Sequence, residues 1–246
     1  TACILSNRTP QKAQALAQKY GCAMAASNSE AAGQAQYILL GVKPQMMAGL
    51  LAEIAPVLRR RQAEGDAFCL VSMAAGLSLA RLAEMTGIAC PIVRIMPNTP
   101  CAIGKGMTLV VKNEYAGEAQ ADELCALLAA AGEFDVIEES LMDAGSVISG
   151  CVGAWAQMFI EALADGAVEA GVPRAKAQKY AAGAVLGAAA LALESGRHPG
   201  RLKDEVCSPA GSTIAGVHAL ERAGLRGAAM DAVAAAFART REMGKQ

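Results

Sequence analysis

What is scarce limits the chemistry first. Aromatic residues make up only 4% of the 246 residues, with a single Trp, and there are two histidines, His198 and His218. The eight cysteines (3, 22, 69, 90, 101, 125, 151 and 207) show no Cys-x-x-Cys spacing and no nearby His. A zinc or other metal site is therefore not expected, and a reduced, cytoplasmic chain is. Net charge is close to zero, at −1, with no basic patch in the sequence. That removes the electrostatic case for nucleic acid or an anionic membrane surface. Two stretches lack charge altogether, 144–160 and 180–193. Both fall short of the roughly 20 apolar residues of a spanning helix, so they are read as core helices. An initiator Met is also missing. The sequence opens on Thr1, already inside an apolar strand, and an upstream segment is expected.

What is present alternates in a regular way. Apolar strands are expected at 2–5, 37–40, 67–73 and 91–95, with a short one before Asn28-Ser29-Glu30, which is read as a helix cap. Helices are expected between them, one placing Ala13, Leu16, Ala17 and Tyr20 on one face and stopping at Gly21. A further strand pair, 107–111 and 134–138, flanks a helix over 117–131. Short strands alternating with helices of ten or more residues predict an α/β class, a Rossmann-like doubly wound parallel sheet. Ligands of such sheets bind in the loops beyond the strands' carboxyl ends, here 6–9, 41–44 and 74–76. From about residue 140 the strand pattern ends and Gly/Ala-rich helices follow. Two domains are expected: 1–140, a cofactor-binding sheet domain, and 141–246, an all-α domain. Trp155, at helical spacing, is read as core.

The stretch 205–223 carries the sharpest local signal. The hydroxyl-rich turn Ser208-Pro209-Ala210-Gly211-Ser212-Thr213 runs into an apolar-periodic segment, Ile214, Val217, His218 and Leu220. That predicts a helix start capped by Ser212 or Thr213, with Gly211 allowing a ligand close to the backbone. Unsatisfied amides and the positive helix end there favour an anion. An ordinary N-cap is the commoner explanation of such a turn taken alone.

Arg8 follows a strand end, where dinucleotide folds place the residue that meets the adenosine ribose. A carboxylate there accepts from a free 2′-hydroxyl; an Arg suits a 2′-phosphate, so Ser6, Asn7, Arg8 and Thr9 favour NADP over NAD. Lys43 before Pro44 is a weak signal by itself, and Asn98, between two prolines, reads as a turn former. Neither His is assigned a catalytic role. The apolar helices after residue 140 can hardly cover themselves, which predicts a partner surface.

Six blocks together resemble the pyrroline-5-carboxylate reductases. They are Ser6-Asn7-Arg8-Thr9, Val42-Lys43-Pro44-Gln45, Ala74-Ala75-Gly76, Arg94-Ile95-Met96-Pro97-Asn98-Thr99-Pro100, Leu186-Gly187-Ala188 and Ser208-Pro209-Ala210-Gly211-Ser212-Thr213. The resemblance implies reduction of 1-pyrroline-5-carboxylate to L-proline by NADPH, the last step of proline biosynthesis. Carried over by position, it puts Ser6, Asn7 and Arg8 on the 2′-phosphate and Asn28 on the adenosine. Val42, Lys43, Pro44, Ala74 and Ala75 would line the rest of the cofactor. Ser208, Gly211, Ser212 and Thr213 would hold the substrate carboxylate, with Thr213 near the ring nitrogen as the catalytic candidate. It also implies a homodimer through the C-terminal helices, with larger rings built from dimers, and a site shared between chains.

Three departures stand out. No Gly-rich turn precedes Arg8. The family's Ser-Gly-Ser-Gly-Pro-Ala-Tyr reads Ser149-Gly150-Cys151-Val152-Gly153-Ala154-Trp155, and Glu205 stands where Asn is usual. A carboxylate at 205 would repel an anionic substrate unless Lys203 or Arg201 paired with it. Two alternatives stay open: a related reductase of another small imine or hydroxy acid, and a catalytically impaired paralogue kept as an assembly element.

Overall fold

Apolar runs of a few residues become strands and the longer segments between them become helices. A computed structural model describes residues 2–243, so Thr1, where the sequence opens, lies outside the described residues. The order is β1 (Ile4–Leu5), α1 (Pro10–Tyr20), β2 (Ala23–Met24), α2 (Asn28–Gln34), β3 (Tyr37–Leu40), α3 (Met47–Ala63), β4 (Cys69–Ser72), α4 (Leu79–Thr86), β5 (Ile92–Met96), β6 (Gly106–Lys112), α5 (Glu118–Leu128), β7 (Gly132–Val136) and α6 (Glu139–Ser146). A π-helical turn, Val147–Cys151, leads to α7 (Val152–Glu169), then α8 (Arg174–Ser195), α9 (Pro199–Glu205), α10 (Ser212–Arg222) and α11 (Leu225–Met243). The chain divides into two compact units. The first runs to Gly150 and includes the residues from Arg239; the second is Cys151–Ala238.

In the first unit β1 pairs only with β2, and a five-stranded sheet runs β3-β4-β5-β6-β7. Strands β3, β4 and β5 are parallel, in register Tyr37↔Cys69 and Leu70↔Ile92. The sheet is not parallel throughout, since β6 runs antiparallel to β5 with Met96 opposite Leu109. The connection between them, residues 97–105, is too short for the dozen-residue crossover that parallel neighbours require. β1 and β3 each keep one edge without a strand partner among the described residues.

Helices cover both faces. On one, Met47, Leu51, Ile54 and Leu58 of α3 recur every three or four residues and bury themselves against Leu70, Leu82 and Ile92. On the other, Leu124 of α5 packs on Cys69, Val71, Val93 and Val110. Burial on both faces explains why β4 and β5 read as continuous apolar runs. It also pushes the thiols of Cys69 and Cys90 up, to about 12 and about 11. α1 behaves differently from its sequence pattern: Ala13 and Ala17 are buried, whereas Leu16 and Tyr20 are 44% and 63% exposed. Gly21 ends that helix in the left-handed region, as expected.

The second unit has little core of its own. Ala164, Ala177 and Ala181 close the α7–α8 contact, with Ile160, Val168 and Val172 around them. Met158, Tyr180, Leu186, Leu193 and Met230 all stand exposed. Trp155, expected in the core, is only half-buried. The short charge-free run at 144–160 belongs to one continuous helical stretch, Glu139–Glu169, whose 31 residues are long and apolar enough to cross a membrane by length and composition. Helical hydrogen bonding passes through the π turn, which the apolar pattern did not show.

Candidate functional site

Loops follow β1, β3, β4 and β5, and the parallel strands deliver the last three to one edge of the sheet, the edge where such sheets bind ligands. After β1, the Ser6 hydroxyl donates to Asn28 Oδ1 at 2.8 Å, and Asn28 Nδ2 donates to Glu53 at 2.8 Å. Asn28 begins α2, which Ser27 caps by accepting from the Glu30 amide; the cap is therefore one residue earlier than read. Asn7 Oδ1 accepts from the Thr9 amide at 2.8 Å and shapes the turn into α1. Arg8 is exposed and has no ion-pair partner among the described residues. Ser6, Asn7 and Asn28 thus hold one another or their loop in place, and the guanidinium of Arg8 remains available beside them. This donor set fits a phosphate monoester, and no carboxylate lies within 6–9 to compete for it.

Val42, Lys43 and Pro44 follow β3, with Pro44 opening a 3₁₀ turn and Lys43 exposed. Ala74 and Ala75 follow β4, and the Ala74 amide donates to Ser72 Oγ at 3.3 Å. After β5 comes a contact the sequence reading missed. Asn98 Nδ2 donates to the Ser149 carbonyl at 2.8 Å, and its Oδ1 accepts from the Met107 amide at 3.1 Å. Arg94 within β5 is also more than a strand residue: it is 4% exposed and pairs with Glu139 at 2.7 Å. The same carboxylate accepts from the Leu79 amide at 2.7 Å. The one signal for this in sequence is a charge inside an apolar run, which demands a partner when buried.

In the second unit the turn Ser208-Pro209-Ala210-Gly211 closes with the Gly211 amide donating to the Ser208 carbonyl at 3.0 Å. Ala210 sits in the left-handed region at φ 54°, a conformation that costs a non-glycine residue on the order of 1 kcal/mol. A Cβ at Gly211 would press on Ser208 Oγ and meet the Ser208 carbonyl at 3.0 Å, so the Ser208 hydroxyl would have to turn away to admit one. Gly211, and not Ser212 or Thr213, is the N-cap of α10, and no side chain among the described residues caps that helix. Ser212 and Thr213 occupy its first turn, with both side chains exposed. The amides of that turn therefore stay uncapped, with two hydroxyls beside them, which suits an anion better than a capped start would. Glu205 is paired mainly by Arg197, at 2.7 and 2.9 Å, and more distantly by Arg201 at 3.5 Å. Lys203 instead pairs with Asp204 at 2.5 Å. His198 caps α9 through Nδ1, which accepts from the Gly200 amide at 3.1 Å. Among the described residues no cluster of His, Cys, Asp or Glu has the makings of a metal site. A groove of about 800 Å³ beside α4 and β7 includes none of the expected site residues.

Residues 139–243 match the family model for pyrroline-5-carboxylate reductase dimerisation, and residues 1–76 match that for NADP oxidoreductase, coenzyme F420-dependent. The chain is 38% identical over 241 residues to a pyrroline-5-carboxylate reductase of Corynebacterium melassecola, covering 98% of this chain and 88% of that one. Among solved structures, a pyrroline-5-carboxylate reductase from Coxiella burnetii superposes with a TM-score of 0.89 at 28% identity, over 98% of this chain and 87% of that chain. A pyrroline carboxylate reductase from Plasmodium falciparum, solved with NADP bound, gives 0.81 at 28% identity over 98% and 86%.

Proposed function

Because the chain belongs to the pyrroline-5-carboxylate reductase family, we propose that it reduces 1-pyrroline-5-carboxylate to L-proline with NADPH. When bound, the nicotinamide cofactor supplies the hydride. The observation that carries this reading is the uncapped start of α10 behind the turn at Ser208, a site for the carboxylate of a small substrate. In this reading residues 1–140 are the cofactor half, and 141–246 the substrate-binding and dimerising half. Ser208, Gly211 and Ser212 hold the carboxylate by hydroxyl and amide donors, and Thr213 donates beside the ring nitrogen. Arg8 reads the 2′-phosphate, with Ser6, Asn7 and Asn28 bracing its loop. Val42, Lys43, Pro44, Ala74 and Ala75 shape the channel at the sheet edge. An iminium carbon is already electrophilic, so orientation and exclusion of water meet most of the catalytic demand. That agrees with the roles left to His198 and His218, neither of which is needed as an acid or base.

The exposed apolar residues of the second unit support a homodimer, and they fall within the residues that the dimerisation model matches; a cytoplasmic place belongs to the same reading. A partner chain also gives the long helical stretch Glu139–Glu169 an apolar surface to meet. The test uses one preparation of the full-length protein. It should oxidise NADPH when given 1-pyrroline-5-carboxylate, form proline, and sediment as a dimer or a multiple of one. NADPH oxidation with another cyclic imine only would favour the altered stretch at 149–155 as a specificity change. No oxidation with either would sink the reductase reading, and a monomer at micromolar concentration would sink the dimer.

A further inference from the structure

Asn98, Met107 and Ser149 meet where β5 ends, at the sheet edge that also carries the loops after β3 and β4. Ser149 lies in the π turn Val147–Cys151, which interrupts the regular helical ladder between α6 and α7. Such turns are rare inside helices and concentrate at functional sites. The side chain of Asn98 is divided between two tasks. Its oxygen fixes the start of β6 through the Met107 amide, and its nitrogen holds the π turn through the Ser149 carbonyl. The Ser149 hydroxyl is the second observation. Its oxygen is buried and has no hydrogen-bond partner among the described residues. A helical Ser ordinarily satisfies itself on a carbonyl one turn back, and a buried hydroxyl left without a partner calls for a reason.

We propose that Asn98 is a positioning residue for the reduction: its amide pins the π turn so that the unpartnered Ser149 hydroxyl is held ready to turn toward the nicotinamide end of a cofactor bound at the sheet edge. The proposal rests on the imine-reductase reading. Asn98 touches no reactant in it and acts through Ser149.

The test compares Asn98→Asp, Asn98→Ala and Ser149→Ala in the full-length protein. Asn98→Asp keeps an oxygen for the Met107 amide, removes the donor to Ser149 and sets a carboxylate oxygen against that carbonyl, whereas Asn98→Ala removes the donor without adding a charge. Asn98→Asp should lower kcat about five- to tenfold, the scale of one well-placed hydrogen bond, while NADPH affinity changes by less than about twofold. Asn98→Ala should match it in kcat while losing more thermal stability. Ser149→Ala should show the same loss in kcat, and Asn98→Asp combined with Ser149→Ala should be no worse than either alone, because both remove one interaction. Amide hydrogen exchange reads the clamp without reference to activity: 147–151 should exchange faster in Asn98→Asp and unchanged in Ser149→Ala. Unaltered exchange in Asn98→Asp would overturn the clamp. Faster exchange with wild-type kcat, or multiplicative losses in the double variant, would overturn the positioning role. A wild-type protein without imine reduction would fail the functional reading instead, and leave the exchange result to judge the clamp.

Discussion

Removing Arg61 should be among the most damaging single changes in the first unit. Arg61 is 3% exposed, and every donor of its guanidinium is used. Nε and one Nη reach Asp66 at 2.6 and 3.2 Å, and the other bonds go to the carbonyls of Ala32, Ala35 and Ala67 at 2.6, 2.7 and 3.1 Å. It also stacks on Phe68, 5.2 Å from the ring centre. Two of those carbonyls close the end of α2, the helix that starts with Asn28, so a cation there is favourable as well as bonded. In Arg61→Ala the Ala32 carbonyl stays buried without a partner, costing about 1–3 kcal/mol. The two half-buried carbonyls recover some water, and the lost stacking adds about 0.5–1 kcal/mol. A total near 3 kcal/mol is expected, which for a protein of this size lowers Tm by roughly 6–12 °C. Arg60→Ala is the control, since its pairing with Glu64 is long, at 4.0 Å, and exposed. The Arg61 guanidinium also holds the Asp66 carboxyl below its ordinary value. The part of the stability that comes from this depressed pKa is present above the unfolded value of about 3.9 and fades as pH falls through the folded one. The gap between wild type and Arg61→Ala should therefore narrow in acid. Calorimetry at pH 7 and pH 3.5 decides it: a Tm loss no greater than that of Arg60→Ala at pH 7 would refute the reasoning.

Arg8→Ala should weaken NADPH roughly ten- to hundredfold, the scale of a charge-assisted phosphate contact, and leave NADH nearly unchanged. Fluorescence titration with both cofactors measures it, and equal losses would mean Arg8 serves its loop and not the phosphate. Thr213→Val keeps the shape of the first turn of α10 and removes the hydroxyl. It should cut kcat/KM for the imine about tenfold or more with Tm unchanged; untouched kinetics would move the ring-nitrogen contact to another residue.

Sequence alone determined the elements whose pattern is local. Tyr37–Leu40, Ile92–Met96 and α8 appear where their apolar runs and flanking Gly and Pro placed them, because hydrophobic period and backbone restriction act within a few residues. The order of the six motif blocks likewise carried the family. Interactions between distant segments were decided only by the tertiary structure. Asn98 and Ser149 are far apart in the chain, and nothing local to a Pro-flanked Asn announces the carbonyl it holds. The π turn at Val147–Cys151 has the same apolar composition as the helices around it, so its one extra residue is invisible to a 3.6-residue period. Direction of β6 depended on a connection too short to cross over, and the salt link of Arg94 to Glu139 on a helix that begins 45 residues later. At α10 the sequence placed the helix start and its hydroxyls, but the choice of cap went to Gly211, whose missing Cβ makes room for Ser208 in the turn. Local chemistry sets what a segment is able to form; which donor meets which acceptor is fixed only when the chain brings them within 3 Å.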